Sequence, residues 1–301
     1  MSLDADLQLD LGIDSLEWLN LGLELETVLG IRIVEQDFAG VADVRDLLRL
    51  VERTTAPDAA EVDTAAMLAK DEAIWLAPTS AAEQVAFTLL HGLTRALALL
   101  LFRLRVKGAQ HLPVTPPYLI VANHVSDLDP AMLAASLPMA ELRSLYWSGD
   151  RGRLFNGPVK RRLCRALHVF PVDERAPRAT LAMAGRVLAR GKTLVWFPES
   201  WRSPDGRLQR FLPGVGRLLS ERSVPVVPAH IDGTFEAMPR NRSWPRPHPV
   251  SVTFGAPLDR ETLHKAGEGE TAEMRITDGL YRQVAQLAEA AASTDGARSS
   301  G

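Results

Sequence analysis

In Val121-Ala-Asn-His-Val-Ser-Asp-Leu-Asp-Pro130, a predicted strand gives way to a predicted helix. The strand signal is the apolar run Tyr118–Ala122, which has a β-branched centre and follows two prolines. The helix signal is Asp129-Pro130, because Asp is a favoured N-cap and Pro is favoured at the first helical position. His124 therefore lies where a buried strand ends and a helix begins, the usual place for chemistry in an open α/β sheet.

His124 and Asp129 form a candidate acid–base dyad. An imidazole held by a carboxylate has a fixed tautomer and a stabilised charged form, so it can act as a general base on a hydroxyl that attacks a carbonyl. The dyad alone also allows a simpler reading, a loop histidine beside a helix cap. A third reading makes Asp127 a metal ligand together with the dyad, but no further His or carboxylate cluster completes such a site. The sequence therefore predicts no metal.

From the strand at 118–122 onward, predicted strands alternate with predicted helices. The strands are at 118–122, 143–147, 168–172, 193–197, 224–231 and 249–255. The helices are near 130–137, 154–166, 177–190, 213–222 and 270–292. This alternation predicts an α/β domain with a largely buried, mixed sheet flanked by helices.

The N-terminal region has a different character. Residues 9–28 predict a turn followed by an amphipathic helix, and a second helix is predicted across Val44–Val51, introduced by Asp43. The segment Gly12-Ile-Asp-Ser-Leu16 resembles the attachment motif of acyl carrier proteins. The resemblance implies 4′-phosphopantetheine on Ser15 in a small all-α helical bundle. The bundle is partial, since the family's first helix would precede residue 8, and a vestigial or purely docking helix pair is the alternative.

Charge divides the chain in the same way. Residues 1–63 contain 15 acidic residues and four Arg, a net of -11, while the remainder contains 22 acidic and 30 basic residues, a net of +8. A basic body suits anionic lipid or a phosphorylated substrate. Nucleic acid is not expected, because no Lys/Arg stripe with interleaved aromatic residues occurs. The single Cys164 and the acidic N-terminus without a secretory signal favour the cytoplasm.

The predicted domains are a carrier-like segment at 1–53, a linker at 54–82, a larger domain at 83–292 and a frayed tail at 293–301. A short helix is predicted within 64–76. The most apolar run, Ala86–Phe102, has 17 residues and is followed by a basic flank. It is shorter than the ~20 residues that a membrane span needs. An interfacial helix at the membrane surface and a buried core helix both fit it.

Three further segments carry notable residues at predicted strand ends: Val169–Arg175, Phe197–Ser203 and Val224–Pro228. Together with the stretch Asn123–Asp129, they resemble the four motifs of the glycerolipid acyltransferase family, which includes the lysophosphatidic acid acyltransferases. The stretch Asn123–Asp129 is similar to the family's His-x4-Asp motif. The resemblance covers residues of about 85–260 and implies the glycerolipid acyltransferase fold.

The resemblance also implies roles and partners. His124 would be the general base and Asp129 would orient it, while the acceptor would be bound by Asn123, Arg175, Glu199 and Arg202. The donor would be acyl-CoA or an acylated carrier protein, and the acceptor a lysophospholipid. The protein would be cytoplasmic and peripheral, at the inner face of the membrane.

Two departures bear on the acceptor. Ser200-Trp201 replaces the family's Gly-Thr, and Leu212 stands where the family usually has Lys. One phosphate-facing cation is therefore missing, which keeps a non-phosphorylated lipid alcohol open as the acceptor. A non-enzymatic acyl-carrier or lipid-binding scaffold is the other alternative.

Overall fold

The computed structural model describes residues 41, 43–54, 68–172, 177–199, 202–242 and 244–299. They belong to two compact units, Met1–Met67 and Leu68–Gly301. In the first unit, helix α1 spans Val44–Thr54, and the Asp43 carboxylate accepts a 2.8 Å hydrogen bond from the backbone N–H of Asp46. This confirms the helix that Asp43 predicts. Ser15, the helix predicted within residues 9–28 and residues 55–67 of the predicted linker lie outside the described residues.

The described part of the second unit contains a seven-stranded sheet and the helices around it. The strands are β1 Arg105–Lys107, β2 Leu119–Ala122, β3 Leu145–Asp150, β4 Val169–Val172, β5 Thr193–Trp196, β6 Val226–Asp232 and β7 Ser251–Phe254. The helices are α2 at 68–75, α3 Ala81–Leu101, α4 Asp129–Ser136, α5 Met139–Leu142, α6 Arg151–Leu154, α7 Pro158–Ala166, α8 Pro177–Ala189, α9 Gly214–Glu221, α10 Thr234–Ala237, α11 Arg260–Ala266 and α12 Ala272–Ser299.

The strand order is β1-β7-β6-β2-β5-β3-β4. Every neighbouring pair is parallel except β6 and β7, which are antiparallel, so the predicted mixed sheet is confirmed. Strand β2 lies between β5 and β6 and is fully buried. Its residues alternate between two hydrophobic clusters, with Leu119 and Val121 in one and Ile120 and Ala122 in the other. Both faces of the sheet are therefore covered, as parallel strands require.

The second unit begins upstream of the predicted boundary at residue 83. Trp75 and Leu76 are buried in the core, where Trp75 meets the Phe155 ring edge to face at 4.9 Å. The Glu72 carboxylate also pairs with two arginines of the body, Arg186 and Arg190. Burying these apolar side chains holds residues 68–76 on the body, so this part of the predicted linker is structured.

Helix α3, Ala81–Leu101, is longer than the 17-residue apolar run Ala86–Phe102. Ser80 caps it with a capping box, because the Ser80 hydroxyl accepts from the Glu83 N–H and the Glu83 carboxylate accepts from the Ser80 N–H. The helix therefore starts five residues before Ala86. Its 21 residues are long and apolar enough to cross a membrane by length and composition, contrary to the expectation from the shorter run.

Other bounds also differ from the sequence predictions. The helix predicted at 154–166 is interrupted, because α6 ends at Leu154 and α7 begins only at Pro158. Gly157 between them has a φ of 115°, which is not helical, and Pro is favoured at the first position of a helix. Strand β1 and helix α11 have no counterpart among the predicted elements. The backbone of α12 continues to Ser299, past the tail predicted from Ser293, since the preceding alanine run favours helix.

Candidate active site

The candidate site forms where β2, β5 and β6 end side by side. These three strands are parallel, so the segments that follow them meet at one edge of the sheet. The segment after β2 carries His124, and the segment after β5 contains Phe197–Ser203. Thr234 follows β6 and begins the short helix α10. The motifs that lie far apart in the sequence are therefore neighbours here.

His124 and Asp129 are joined as the sequence predicts. His124 Nδ1 lies 2.9 Å from Asp129 Oδ2, which assigns the ring proton to Nδ1 as the donor. Within the described part of the chain, Nε2 of His124 has no hydrogen-bond partner, and the His124 side chain is 18% exposed to solvent. The basic nitrogen is therefore left available to a substrate.

Asp129 is a fully buried carboxylate with four hydrogen-bond donors. Its Oδ2 accepts from His124 and from the backbone N–H groups of Val125 and Ser126, at 2.7 and 2.8 Å. Its Oδ1 accepts from the Thr234 hydroxyl at 2.6 Å. Such donors compensate for the loss of water that would otherwise make a buried charge very costly. The carboxylate is thus held in place on both oxygens.

The segment after β5 holds the backbone and ring of His124. The Phe197 ring stacks on the imidazole, with 4.6 Å between centroids and 27° between planes. The His124 N–H donates to Glu199 Oε1 at 2.8 Å, and the His124 carbonyl accepts from the Ser203 N–H at 2.9 Å. Both polar backbone groups of the histidine are therefore bonded to one loop.

Glu199 is buried with both carboxylate oxygens engaged. Besides Oε1, its Oε2 accepts from the Gln209 N–H at 3.0 Å. Burial raises the pKa of Glu199 to about 7, and the backbone donors at His124 and Gln209 oppose this rise. The sequence predicted that Glu199 binds the acceptor. Its two oxygens hold the histidine loop through the backbone N–H groups of His124 and Gln209, and the acceptor contact remains a prediction.

Asn123 also bonds the backbone of a distant segment. Its side-chain amide donates to the Ile231 carbonyl at 2.9 Å and accepts from the Ile231 N–H at 2.8 Å. These bonds continue the pairing of β2 with β6 beyond the last strand residue, Ala122. Asn123 is buried, and these two bonds hold the two strand ends together, while its contact with the acceptor remains a prediction.

Arg202 is at the site, and its guanidinium is already paired. Arg202 Nη1 donates to Asp127 Oδ2 at 2.8 Å. Arg153 reaches the same carboxylate through two nitrogens, at 3.4 Å to Oδ1 and 3.2 Å to Oδ2. Arg175, the other predicted phosphate ligand, and Ser200-Trp201 lie outside the described residues.

The sequence did not single out Thr234 or Arg153, and gave Asp127 only a metal-ligand role. A Gly-Thr pair directly after the proline-bounded strand could have marked Thr234, since strand ends carry site residues in this class of fold. Arg153 is 26 positions from Asp127 and has no local signal. No group of three or more His, Cys, Asp or Glu side chains suited to a metal occurs among the residues that the structure describes.

Comparisons with known proteins agree with this geometry. Residues 103–232 match the Acyltransferase family model, and residues 1–51, which include Ser15, match the model of the Phosphopantetheine attachment site. The two matched ranges are the regions in which the sequence analysis found the resemblance to glycerolipid acyltransferases and to acyl carrier proteins.

Two relatives illustrate the similarity. A 1-acyl-sn-glycerol-3-phosphate acyltransferase of Limnanthes douglasii is 25% identical over 166 residues, which cover 52% of this chain and 55% of that protein. The alpha form of Homo sapiens is 30% identical over 135 residues, 42% of this chain and 44% of that protein. The chain spans about half the length of the curated relatives it matches.

A solved structure shows the fold. The crystal structure of the 1-acyl-sn-glycerophosphate (LPA) acyltransferase of Thermotoga maritima aligns with a TM-score of 0.50 and 24% identity, and covers 89% of this chain and 95% of that one. The predicted fold class is confirmed.

Glu199→Gln should make stability less dependent on pH. The pKa of Glu199 rises from 4.5 to about 7 on folding. The stability that this group contributes is therefore fully present below pH 4.5 and is lost as the pH rises through 7. The loss amounts to about 3 kcal/mol at 1.36 kcal/mol per pKa unit, and an uncharged Gln removes it.

Urea unfolding of the wild type and of Glu199→Gln at pH 5 and pH 8 checks this. The stability of the variant relative to the wild type should increase between the two pH values, on top of a constant loss for the one backbone hydrogen bond that the Gln NH2 group cannot accept. The exposed Glu221→Gln is the control and should give the same difference at both. An equal difference in stability between Glu199→Gln and the wild type at the two pH values would contradict the raised pKa of Glu199.

Proposed function

We propose that this chain, with its acyltransferase domain, transfers a fatty acyl group from a thioester to the hydroxyl of a lysophospholipid or glycerol-phosphate-type acceptor. The observation that carries the proposal is the His124–Asp129 pair, with Asp129 buried under four donors and His124 Nε2 left without a partner in the described structure. A protein that only bound lipid would have no need of an oriented base. The names of the relatives, 1-acyl-sn-glycerol-3-phosphate acyltransferases, support the same reaction class.

The dyad accounts for both proton transfers. His124 Nε2 takes the proton of the acceptor hydroxyl as its oxygen forms a bond to the thioester carbonyl carbon. Asp129 stabilises the imidazolium through Nδ1. When the tetrahedral adduct collapses, the carbon–sulfur bond breaks and the imidazolium returns the proton to the leaving thiolate. A thioester is already activated, so no covalent enzyme intermediate is required.

The donor is proposed to be an acylated carrier or acyl-CoA. Phosphopantetheine on Ser15 would supply the terminal thiol on which the acyl group is carried as a thioester. A carrier joined by a short flexible linker presents its cargo at an effective concentration on the order of mM. The match of residues 1–51 to the attachment-site model supports Ser15 as the modified residue.

The protein is proposed to work at the inner face of the membrane as a peripheral enzyme. One stripe of α3 exposes five apolar side chains to solvent: Val85, Leu89, Leu93, Leu97 and Leu100. The opposite face packs on the body, where Arg95 Nη1 donates to the Ala135 carbonyl at 3.1 Å. A helix with one face held by protein and the other apolar and exposed suits the membrane interface.

Basic residues follow the C-terminal end of α3, and a loop that is bonded to this end contains an exposed tryptophan. The exposed Arg103 and Arg105 follow the helix directly. Backbone hydrogen bonds from Val250 to Phe102 and from Arg105 to Val250 join this end to the loop that contains Trp244, which is 81% exposed. Arginine favours anionic headgroups and tryptophan favours the interfacial region, so both support contact with an anionic membrane surface.

His124→Ala should abolish transfer while the protein stays folded. Loss of the general base should lower kcat/KM by about 10²-fold or more, because general base catalysis contributes that much. Steady-state release of free thiol from an acyl thioester in the presence of acceptor measures it. His264→Ala, on α11 and away from the dyad, is the control. Normal turnover by His124→Ala with an unchanged circular dichroism spectrum would disprove the base assignment.

Ser15 should accept phosphopantetheine. Intact mass spectrometry after incubation with CoA and a broad-specificity phosphopantetheinyl transferase should show one added group in the wild type and in Ser2→Ala. Ser15→Ala should show none. A mass gain that survives in Ser15→Ala, or no gain in the wild type, would contradict the proposed carrier role.

Leu93→Glu should weaken membrane binding. A charge in the exposed stripe of α3 opposes burial in the interface, while Leu93 is 57% exposed and contributes little to the core. Co-sedimentation with vesicles that contain phosphatidylglycerol should show less bound protein for Leu93→Glu. Met274→Glu is the matched control, because Met274 is 45% exposed on α12 and should bind as the wild type does. Equal binding of Leu93→Glu and Met274→Glu to the vesicles would contradict the proposal that the exposed stripe of α3 contacts the membrane.

A further inference from the structure

We propose that the exposed face of α6 and α7 is a docking surface for an acidic acyl carrier protein that arrives as a separate molecule. The residues of this α6–α7 surface are exposed cations and aliphatic side chains: Leu154, Val159, Lys160, Arg161, Arg162 and Leu163. Neither the dyad nor the four motifs include them. The proposal rests on the acyltransferase function proposed above and adds the place at which a carrier-bound donor is recognised.

The charge of this segment is one-sided. Residues 151–166 contain six basic side chains and no acidic one. Three of the six form ion pairs within the second unit: Arg151, Arg153 and Arg165. The other three, Lys160, Arg161 and Arg162, have no carboxylate partner among the described residues, although two of them bond neutral groups close to α6. Three adjacent positive charges are therefore left uncompensated on one exposed helix, where an acidic partner would be attracted.

Aliphatic side chains are exposed among these charges. Val159 is 78% exposed and Leu163 is 48% exposed, and residues four positions apart lie on the same face of a helix. Leu154, at the end of α6, is 42% exposed. Arginine is enriched in the contact surfaces of protein complexes and often contributes much of the binding free energy. Arginines beside exposed aliphatic side chains therefore favour a protein partner.

Helix α7 is held firmly on the second unit. Its Cys164 is buried in the core. The Arg165 guanidinium donates to the Glu83 carboxylate at 3.0 Å. It also donates to the carbonyls of Ile74 and Pro78, at 2.8 and 2.9 Å. The α6–α7 surface is thus formed before a partner arrives, so binding requires little ordering of the chain.

The α6–α7 surface begins at the rim of the active site. Lys160 Nζ donates to the Arg153 carbonyl at 3.3 Å, and the Arg153 guanidinium pairs with Asp127. Asp127 lies in the loop between His124 and Asp129. A carrier that binds this surface is therefore held beside the dyad, where its flexible phosphopantetheine arm can bring the thioester to His124.

The partner is assigned from its charge. The region of this chain that matches the phosphopantetheine attachment model lies within residues 1–63, which carry a net charge of -11. A carrier with this chemistry offers many carboxylates, the groups that arginine binds through paired N–H donors. Opposite charges also raise the rate of encounter. An anionic membrane is the weaker match, because the α6–α7 surface exposes chiefly cations, whereas the stripe of α3 exposes five aliphatic side chains.

The test uses the full chain and two donors with the same acyl group. One is a palmitoylated acyl carrier protein, and the other is palmitoyl-pantetheine, which has the thioester but no protein. Arg162→Glu reverses one uncompensated charge and should raise KM for the palmitoylated carrier by about tenfold, as expected for an arginine within a contact. It should leave KM for palmitoyl-pantetheine unchanged, which also shows that the variant is folded.

Lys265→Glu is the matched control. Lys265 is an exposed cation without a carboxylate partner among the described residues, and it lies on α11. The bridge between Leu258 and Val226 places the start of α11 at the beginning of β6, the end of the sheet opposite the dyad. Both KM values of this variant should equal those of the wild type.

A binding measurement separates docking from catalysis. Fluorescence anisotropy of a dye-labelled, palmitoylated carrier gives its Kd for each form of the protein, with or without turnover. Arg162→Glu should raise this Kd about as much as KM, and Lys265→Glu should not. If the wild type binds the carrier through Arg162 but transfers no acyl group, the proposed transfer is wrong and the docking surface stands. If the wild type transfers the acyl group but both variants bind the carrier equally well, only the docking surface is wrong.

Two other results would overturn the carrier as the partner. If Arg162→Glu raises KM for palmitoyl-CoA as much as for the carrier, the surface binds phosphates of the donor rather than a protein. If Arg162→Glu lowers co-sedimentation with phosphatidylglycerol vesicles and leaves the Kd of the carrier unchanged, the surface contacts the membrane instead.

Discussion

The buried carboxylate of Asp129 is the constraint on which the site depends. A buried charge needs hydrogen-bond donors in place of water, and its four donors come from two places in the chain, the loop after β2 and Thr234. Two are backbone N–H groups of its own loop, one is the imidazole of His124, and one is the hydroxyl of Thr234 beyond β6. Satisfying this one group therefore fixes the ring of the histidine and ties β2 to the segment after β6.

The segment after β5 completes the constraint from the other side. It holds both polar backbone groups of His124 and stacks Phe197 on its ring, so the imidazole has little freedom to turn. Glu199 is used entirely for this purpose, and burial raises its pKa to about 7. Preorganisation of this kind places a base before the substrate arrives and reduces the reorganisation that the reaction requires.

The surface of the second unit offers two different kinds of contact. The exposed stripe of α3 is apolar, and the exposed Arg103 and Arg105 follow its C-terminal end. The rim of the dyad is instead ionic, with Asp127 between Arg153 and Arg202. The apolar stripe suits the membrane interface proposed above, whereas the ionic rim suits charged groups.

The sequence by itself determined the alternation of strands and helices and the short spacing of His124 and Asp129, because these depend on local periodicity and on capping, while the four motifs came from resemblance to a family. Tertiary structure decided which polar side chains are free. Asn123 and Glu199 have the chemistry of substrate ligands, and the tertiary structure shows that both also bond backbone groups of distant segments, at Ile231 and His124. Thr234 and Arg153 reach the site only because parallel strands end at one edge, and no local pattern records such a meeting.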